Sequence, residues 1–251
     1  MWRLSIATRR ARQPVLVVTV CAAPPTPGEP LSAFAQALHQ QWGNPGDMVA
    51  LRQAEDQNSL AILGADYVRL NFTDCIYRGE PQHGRWYYSS VDDLFGPIHP
   101  NDQTLAAKIA GAIIELVPVG VGLTLYAPLA AGHHVDHQMV NAAAWLLHQQ
   151  GWPVAFYEDY PYADPDSLYA AQGRTEYTLE NTVATPQNAA LQPQLHFFSE
   201  DNLQAKIQSV AAYRSQLESL FGGESAMAER LRKYALHVGK SRLAERIWVP
   251  G

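Results

Sequence analysis

The chain is poor in cysteine, in positive charge and in long apolar runs. Its 251 residues include two cysteines, Cys21 and Cys75. Two cysteines exclude a framework of several disulfides and favour a reducing, cytoplasmic setting. The net charge of -6 at pH 7 argues against a nucleic-acid partner, because nucleic-acid binding requires a basic face. The apolar run at 15–20 is far shorter than the ~18 residues that span a membrane, so we expect no integral membrane segment.

Several motifs of common enzyme classes are also missing. The sequence has no glycine-rich phosphate loop, no G-x-S-x-G elbow and no C-x-x-C pair. Dinucleotide, nucleoside-triphosphate and serine-hydrolase chemistry therefore lack support. With 47% hydrophobic residues, however, the chain can build a substantial core, and global disorder is excluded.

Strand-like and helix-like segments alternate through the first two thirds of the chain. Strands are predicted at 15–21, 66–72, 123–127 and 153–157. The helices predicted in the same region cover 2–12, 31–42, 47–64, 101–116 and 138–151. This alternation predicts an α/β fold with a Rossmann-like, mainly parallel sheet and helices on both faces. A single domain over residues 1–251 suits this length.

The remaining segments follow a looser pattern. The long stretch at 73–100 predicts either a functional loop or small irregular elements. After it, strands are predicted at 176–179 and 194–198. One long helix from Asp201 to Phe221 and a last helix at 225–237 complete the prediction.

The most informative feature is a histidine cluster at 132–137. It places three histidines and one aspartate within five residues, directly after a predicted strand, where open α/β sheets place their ligands. His134 and His137 are three residues apart and could face one site, with Asp136 orienting one imidazole. The alternative is a polar cap with solvated histidines at a helix N-terminus. Spacing alone leaves both interpretations open.

Other candidate residues are weaker. Asp74 follows the strand at 66–72 and could join a metal site, but a turn-forming role explains it as well. Arg52 and Glu55 are three apart on one helix and could form a surface pair. The segment 158–162 follows another strand, and could be a rim that contacts substrate or an ordinary capped turn.

Taken together, these segments resemble the LmbE-like (PIG-L) family of zinc-dependent N-deacetylases. The matching stretches, in chain order, are 14–20, 52–56, 63–65, 74–78, 128–137, 156–162, Lys206, 213–216 and 244–248. The resemblance implies a Rossmann-like fold, a zinc cofactor and hydrolysis of an acetamide. The implied substrate is an N-acetylglucosamine-type sugar or a related glycoconjugate.

The resemblance also implies roles for individual residues. His137 would bind zinc, and His134 would act as a catalytic acid or stabilise the oxyanion. Asp136 would orient His134. Arg52 and Asp74 fall where the family contacts its substrate.

One departure from the family pattern is severe. The family opens with a strand ending in a His-x-Asp-Asp motif, which supplies two zinc ligands and the general base, and this sequence contains no such motif. We therefore expect the first strand to be missing, the chain as written to bind zinc weakly and deacetylation to be negligible. An exposed sheet edge would then favour association. The alternatives are a non-catalytic carbohydrate- or partner-binding module on the same fold, and a secreted protein whose first two dozen residues are removed.

Overall fold

The computed structural model describes residues 14–43, 46–117, 122–167, 178–185 and 187–251. The helix predicted at 2–12 lies outside these residues. The chain divides into a first unit, Met1–Thr73 with Leu195–Arg246, and a second unit, Asp74–Gln194 with Ile247–Gly251. The prediction of one domain over residues 1–251 stays a prediction.

The first unit contains two parallel strands. Strand β1 (Leu16–Thr19) pairs with β2 (Asp66–Arg69), and Val17 lies opposite Tyr67. The β-branched residues of β1 suit a pleated, half-buried surface. Both strands were predicted, although each is shorter than its prediction.

Local capping signals set the two helices between these strands. Helix α1 (Ala33–Gln41) begins after Ser32, whose hydroxyl accepts the amide of Ala35, and α2 (Met48–Leu63) begins after Asp47. Helix α2 ends at Gly64, which adopts φ 63°, a left-handed conformation that glycine reaches without a steric penalty. The predicted boundaries of α2 at Asp47 and Gly64 are confirmed.

Three further helices complete the first unit: α7 (Glu200–Ala211), α8 (Arg214–Phe221) and α9 (Glu224–Val238). The prediction of one helix from 201 to 221 is wrong, because the chain leaves the helical conformation at Tyr213, with φ -87° and ψ 61°. This break allows the Tyr213 hydroxyl to donate to buried Asp56 at 2.6 Å. The local sequence pattern predicts one continuous helix, whereas the structure has two helices with a long-range contact at the break between them.

The second unit opens with small elements, as the stretch at 73–100 predicted. Three 3₁₀ turns occur at Cys75–Tyr77, Pro81–His83 and Pro100–Asp102. Between them lie the antiparallel pair β3 (Gly79–Glu80) and β4 (Arg85–Trp86) and the short helix α3 (Val91–Leu94).

Helices and strands then alternate in the second unit. They are α4 (Leu105–Leu116), β5 (Leu125–Pro128), α5 (Val135–Gln149), β6 (Val154–Tyr157) and α6 (Leu179–Val183). Strands β7 (Leu191–Phe197) and β8 (Ala244–Pro250) each have residues in both units. The strand predicted at 176–179 is wrong where it is described, because Thr178 caps α6 by accepting the amide of Asn181. Strand β8 was not predicted.

These strands form a sheet with the order β5-β6-β8-β7. Strands β5 and β6 are parallel, and Phe156 of β6 lies opposite Trp248 of the antiparallel β8. Phe156 is fully buried and stacks on Trp145 of α5, with ring centroids 5.0 Å apart. This packing fixes α5 over the sheet and confirms the α/β class.

Neither cysteine forms a disulfide. Cys21 in the first unit and Cys75 in the second are both buried thiols. Within the described part of the chain, no helix is long and apolar enough to cross a membrane.

Candidate active site at the ends of β5 and β6

The turn between β5 and α5 places the histidine cluster. His134 is the N-cap of α5, and its Nδ1 accepts the backbone amide of Asp136 at 3.3 Å. His137 follows in the first turn of the helix. The two rings lie 5.2 Å apart between centroids, so the structure brings His134 and His137 together, as their spacing predicted.

A buried carboxylate holds His137. Nδ1 of His137 lies 2.6 Å from Oδ1 of Asp159, whose side chain is fully buried after β6. The other oxygen of Asp159 accepts the amide of Ala131 at 3.2 Å. With Nδ1 facing the carboxylate, Nε2 is the ring nitrogen that can bind a metal. This carboxylate–histidine arrangement is typical of metal-binding histidines.

His134 is neutral. Burial, followed by the neighbouring His137, lowers the pKa of His134 to about 3. Because its Nδ1 accepts a hydrogen bond, its proton lies on Nε2. His134 can therefore donate one hydrogen bond from Nε2 at neutral pH.

The Asp136 carboxylate has other partners than the histidine that the sequence suggested. Its Oδ1 lies 2.6 Å from an Arg78 nitrogen, and its Oδ2 accepts the Cys75 amide at 3.2 Å. Burial alone would raise the pKa of Asp136, but the Arg78 charge and the hydrogen bonds to the carboxylate hold it below its usual value. The link from Asp136 to His134 is made by the backbone amide.

The two residues expected near the substrate have structural contacts. Asp74 caps a 3₁₀ turn, where its Oδ1 accepts the Ile76 amide at 3.2 Å. Arg52 lies on α2 in the first unit, with its guanidinium 4.4 Å from the centroid of the Trp42 ring. The suggested Arg52–Glu55 pair is replaced, because Glu55 is buried and accepts both the amide and the hydroxyl of Ser215. Substrate contact by Arg52 and Asp74 stays a prediction.

The described residues also bring Cys75, His134 and Asp136 together, with ligand atoms within 4.8 Å of one another. Burial, and then the charge of Asp136, raises the pKa of the Cys75 thiol well above its usual value. The Arg78 cation already occupies Asp136. A protonated thiol is a poor metal ligand, and so is a carboxylate whose charge already pairs with an arginine. His137 is therefore the better candidate for a metal ligand.

Aromatic rings flank the two imidazoles. Phe95 meets His134 edge-on at 5.4 Å, and Tyr162 meets His137 edge-on at 5.6 Å between centroids. Tyr162 and Asp159 belong to the segment 158–162 that the sequence suggested as a rim, whereas Phe95 was not predicted. Phe95 lies in the irregular segment before α4, where no periodic pattern marks a residue as part of a site.

Gly132 is required by this aromatic packing. Its φ is 77°, and an added Cβ would lie 2.5 Å from Cβ of Tyr162. We expect Gly132→Ala to lower the free energy of unfolding by about 2–4 kcal/mol, through left-handed backbone strain and the clash together. Urea denaturation would measure the loss.

Gly84→Ala is the matched control for this substitution. Gly84 has φ 63° but no atom within 4 Å of an added Cβ, so only the strain of about 1 kcal/mol remains. Equal losses in the two variants would show that Tyr162 does not press on Gly132.

Known deacetylases are similar to this chain in sequence and in fold. No protein-family model matches the chain. The 2'-N-acetylparomamine deacetylase of Niallia circulans is 30% identical over 179 residues, which are 71% of this chain and 58% of that protein. The enzyme of the same name from Streptomyces fradiae is 31% identical over 114 residues, 45% of this chain and 37% of its own length.

Solved structures extend the match to nearly the whole chain. The zinc-inhibited form of teicoplanin deacetylase aligns with TM-score 0.73 and 27% identity, over 93% of this chain and 86% of that one. The chain therefore has the fold of these deacetylases, in agreement with the predicted resemblance to the LmbE-like (PIG-L) deacetylases. The A40926 pseudoaglycone deacetylase is similar too, with TM-score 0.69 and 25% identity over 94% of this chain and 84% of its own. The chain spans 58% and 37% of the lengths of the two curated relatives.

Proposed function

We propose that this protein is an N-deacetylase that hydrolyses the acetamide of an N-acetylated amino sugar in a glycoconjugate. The observation that carries the proposal is the contact between His137 and buried Asp159 at the ends of β5 and β6. The relatives named as deacetylases of N-acetylparomamine, teicoplanin and A40926 pseudoaglycone support the substrate class. They favour this function over a carbohydrate-binding module without activity.

Zinc is the metal that we propose for the site. His137 fits a zinc ligand, because its Nδ1 faces a carboxylate and imidazole nitrogen is a common zinc donor. Catalytic zinc takes three protein ligands as a rule, so His137 supplies one part of the set. Bound zinc would polarise the acetamide carbonyl and lower the pKa of a bound water.

The protein's own residues would contribute in two further ways. The neutral His134 would donate from Nε2 to the oxygen that gains negative charge when the acetamide is attacked. Asp159 would hold the His137 ring in one orientation. The Asp136 carboxylate pairs with Arg78, and this arrangement suits a role in positioning rather than in proton transfer.

The direct test is acetate release by the zinc-supplemented protein. N-acetylparomamine, N-acetylated teicoplanin pseudoaglycone and free N-acetylglucosamine would each be incubated with the protein, and the free amine detected by mass spectrometry. We expect slow turnover of a glycoconjugate in preference to the free sugar, because the sequence lacks the His-x-Asp-Asp motif to which the resemblance assigns two further zinc ligands and the general base. No amine from any of the three substrates, with zinc bound, would refute the proposed function.

The metal site can be tested without turnover through Asp159→Asn. The change removes the negative charge 2.6 Å from His137, so we expect zinc affinity to fall about 10–100-fold. Competition with a chromophoric chelator would measure the dissociation constant. Asp164→Asn is the control, since Asp164 is also buried in this segment and accepts the Asp166 amide. Equal zinc affinity in the two variants would contradict the assignment of His137.

A further inference from the structure

Arg78 occupies an unusual position beside the histidine cluster. It follows the 3₁₀ turn Cys75–Tyr77, and its side chain is 8% exposed. Its Nε lies 2.7 Å from Asp102, and a terminal nitrogen lies 2.6 Å from Asp136. One buried guanidinium therefore joins two buried carboxylates that are far apart in the sequence.

The Asp102 end of this group is fixed by Tyr88. The buried Tyr88 hydroxyl donates to Asp102 at 3.0 Å and accepts the His99 amide at 3.1 Å. The Tyr88 ring also lies under the Arg78 guanidinium, 5.3 Å from its centroid. These contacts leave Arg78 a single orientation, which a planar guanidinium fork can hold and a flexible ammonium cannot.

The Asp136 end leads to the imidazoles. The side chain of Asp136 is held by Arg78 and by the Cys75 amide. Its backbone amide donates to Nδ1 of His134. A displacement of the Asp136 carboxylate would therefore shift the backbone amide of the same residue, which donates to the His134 ring.

We propose that Arg78 is a positioning residue, which acts through Asp136 to hold the His134 ring with Nδ1 as acceptor and Nε2 as donor. The inference deepens the proposed function by adding a residue to the same site, and it rests on that function only for the use made of the Nε2 donor. The ring state itself can be observed in protein that is not turning over substrate.

The test is the tautomer of His134 in Arg78→Lys, recorded by long-range ¹⁵N–¹H NMR of histidine-labelled protein at neutral pH. A His134→Asn variant assigns the signals. In the wild type we expect a pure Nε2–H tautomer. In Arg78→Lys, one ammonium cannot serve Asp102 and Asp136 in two directions, so we expect a mixture of tautomers. We also expect kcat to fall about 100-fold through misplacement of the donor, with KM unchanged.

Arg85→Lys is the matched control, because Arg85 pairs with Glu80 on the exposed surface of the same unit. It should keep the pure tautomer and the wild-type kcat.

A pure tautomer and unchanged kcat in folded Arg78→Lys would overturn the inference and leave the deacetylase proposal standing. A mixed tautomer together with a wild type that releases no acetate would support the inference and refute the proposed function. If Arg78→Lys fails to fold, Tyr88→Phe replaces it. Losing the hydroxyl leaves Asp102 held by Arg78 alone, which should loosen the guanidinium and also mix the tautomers. A pure tautomer in Tyr88→Phe would overturn the inference.

Discussion

Replacing His137 by alanine should lower acetate release about 1000-fold, because the change removes the imidazole that we assign to zinc. Lewis-acid stabilisation by a metal contributes several kcal/mol, and each 1.4 kcal/mol corresponds to about tenfold in rate. Zinc retention after gel filtration should fall with the rate. The measurement is kcat and zinc content on the same preparation.

Two further variants separate the roles within the cluster. His134→Ala should retain zinc and still lose about 100–1000-fold in kcat, since it removes a hydrogen-bond donor to the developing charge and no ligand. His148→Ala, near the other end of α5, should leave both quantities unchanged. If His137→Ala retains stoichiometric zinc and activity, the metal lies elsewhere and the assignment of His137 is wrong.

Replacing Asp56 by alanine should lower the free energy of unfolding by about 3–5 kcal/mol, because buried polar groups would lose a charged acceptor. Asp56 is 6% exposed in the first unit. It accepts the hydroxyl of Tyr213 at 2.6 Å and that of Thr19 at 3.1 Å, and Nε of Arg69 lies 4.0 Å from it. The carboxylate thus joins a strand, a helix and the break between α7 and α8.

Equilibrium urea denaturation would measure this loss. Asp56→Asn keeps one oxygen acceptor and should lose about half as much. Asp66→Ala on β2 is the control, because Asp66 is exposed and surface substitutions usually stay within about 0.5 kcal/mol. Equal stability of Asp56→Ala and Asp66→Ala would show that the Asp56 network adds nothing to folding.

Elements governed by local signals could be predicted from the sequence. Helix α2 is an example, since Asp47 accepts the Ala50 amide and Gly64 turns left-handed at the other end. Both signals lie directly next to the ends of the helix. The break at Tyr213 could not be predicted, because the residue that its side chain contacts, Asp56, lies 157 residues away in the chain.

The same distinction applies to the site. The cluster at 132–137 could be recognised as a candidate site from its position after a predicted strand and from the spacing of its histidines. The structure places His134 and His137 side by side. Their partners are remote: Arg78 reaches Asp136 across 58 residues, and Asp159 follows the next strand. A pattern in one short segment shows which side chains are available, whereas their partners depend on the packing of the sheet and its loops.

The burial of the two cysteines gives each unit an internal reporter of its own motion. Cys21 lies in the first unit and Cys75 in the second, and their exposed fractions are 8% and 0%. A thiol reagent can react only when the surrounding structure opens, so the labelling rate measures local opening rather than chemistry. The backbone amide of Cys75 donates to Asp136. The labelling rate of Cys75 would therefore report how often the turn beside the histidine cluster opens, and no cysteine has to be introduced.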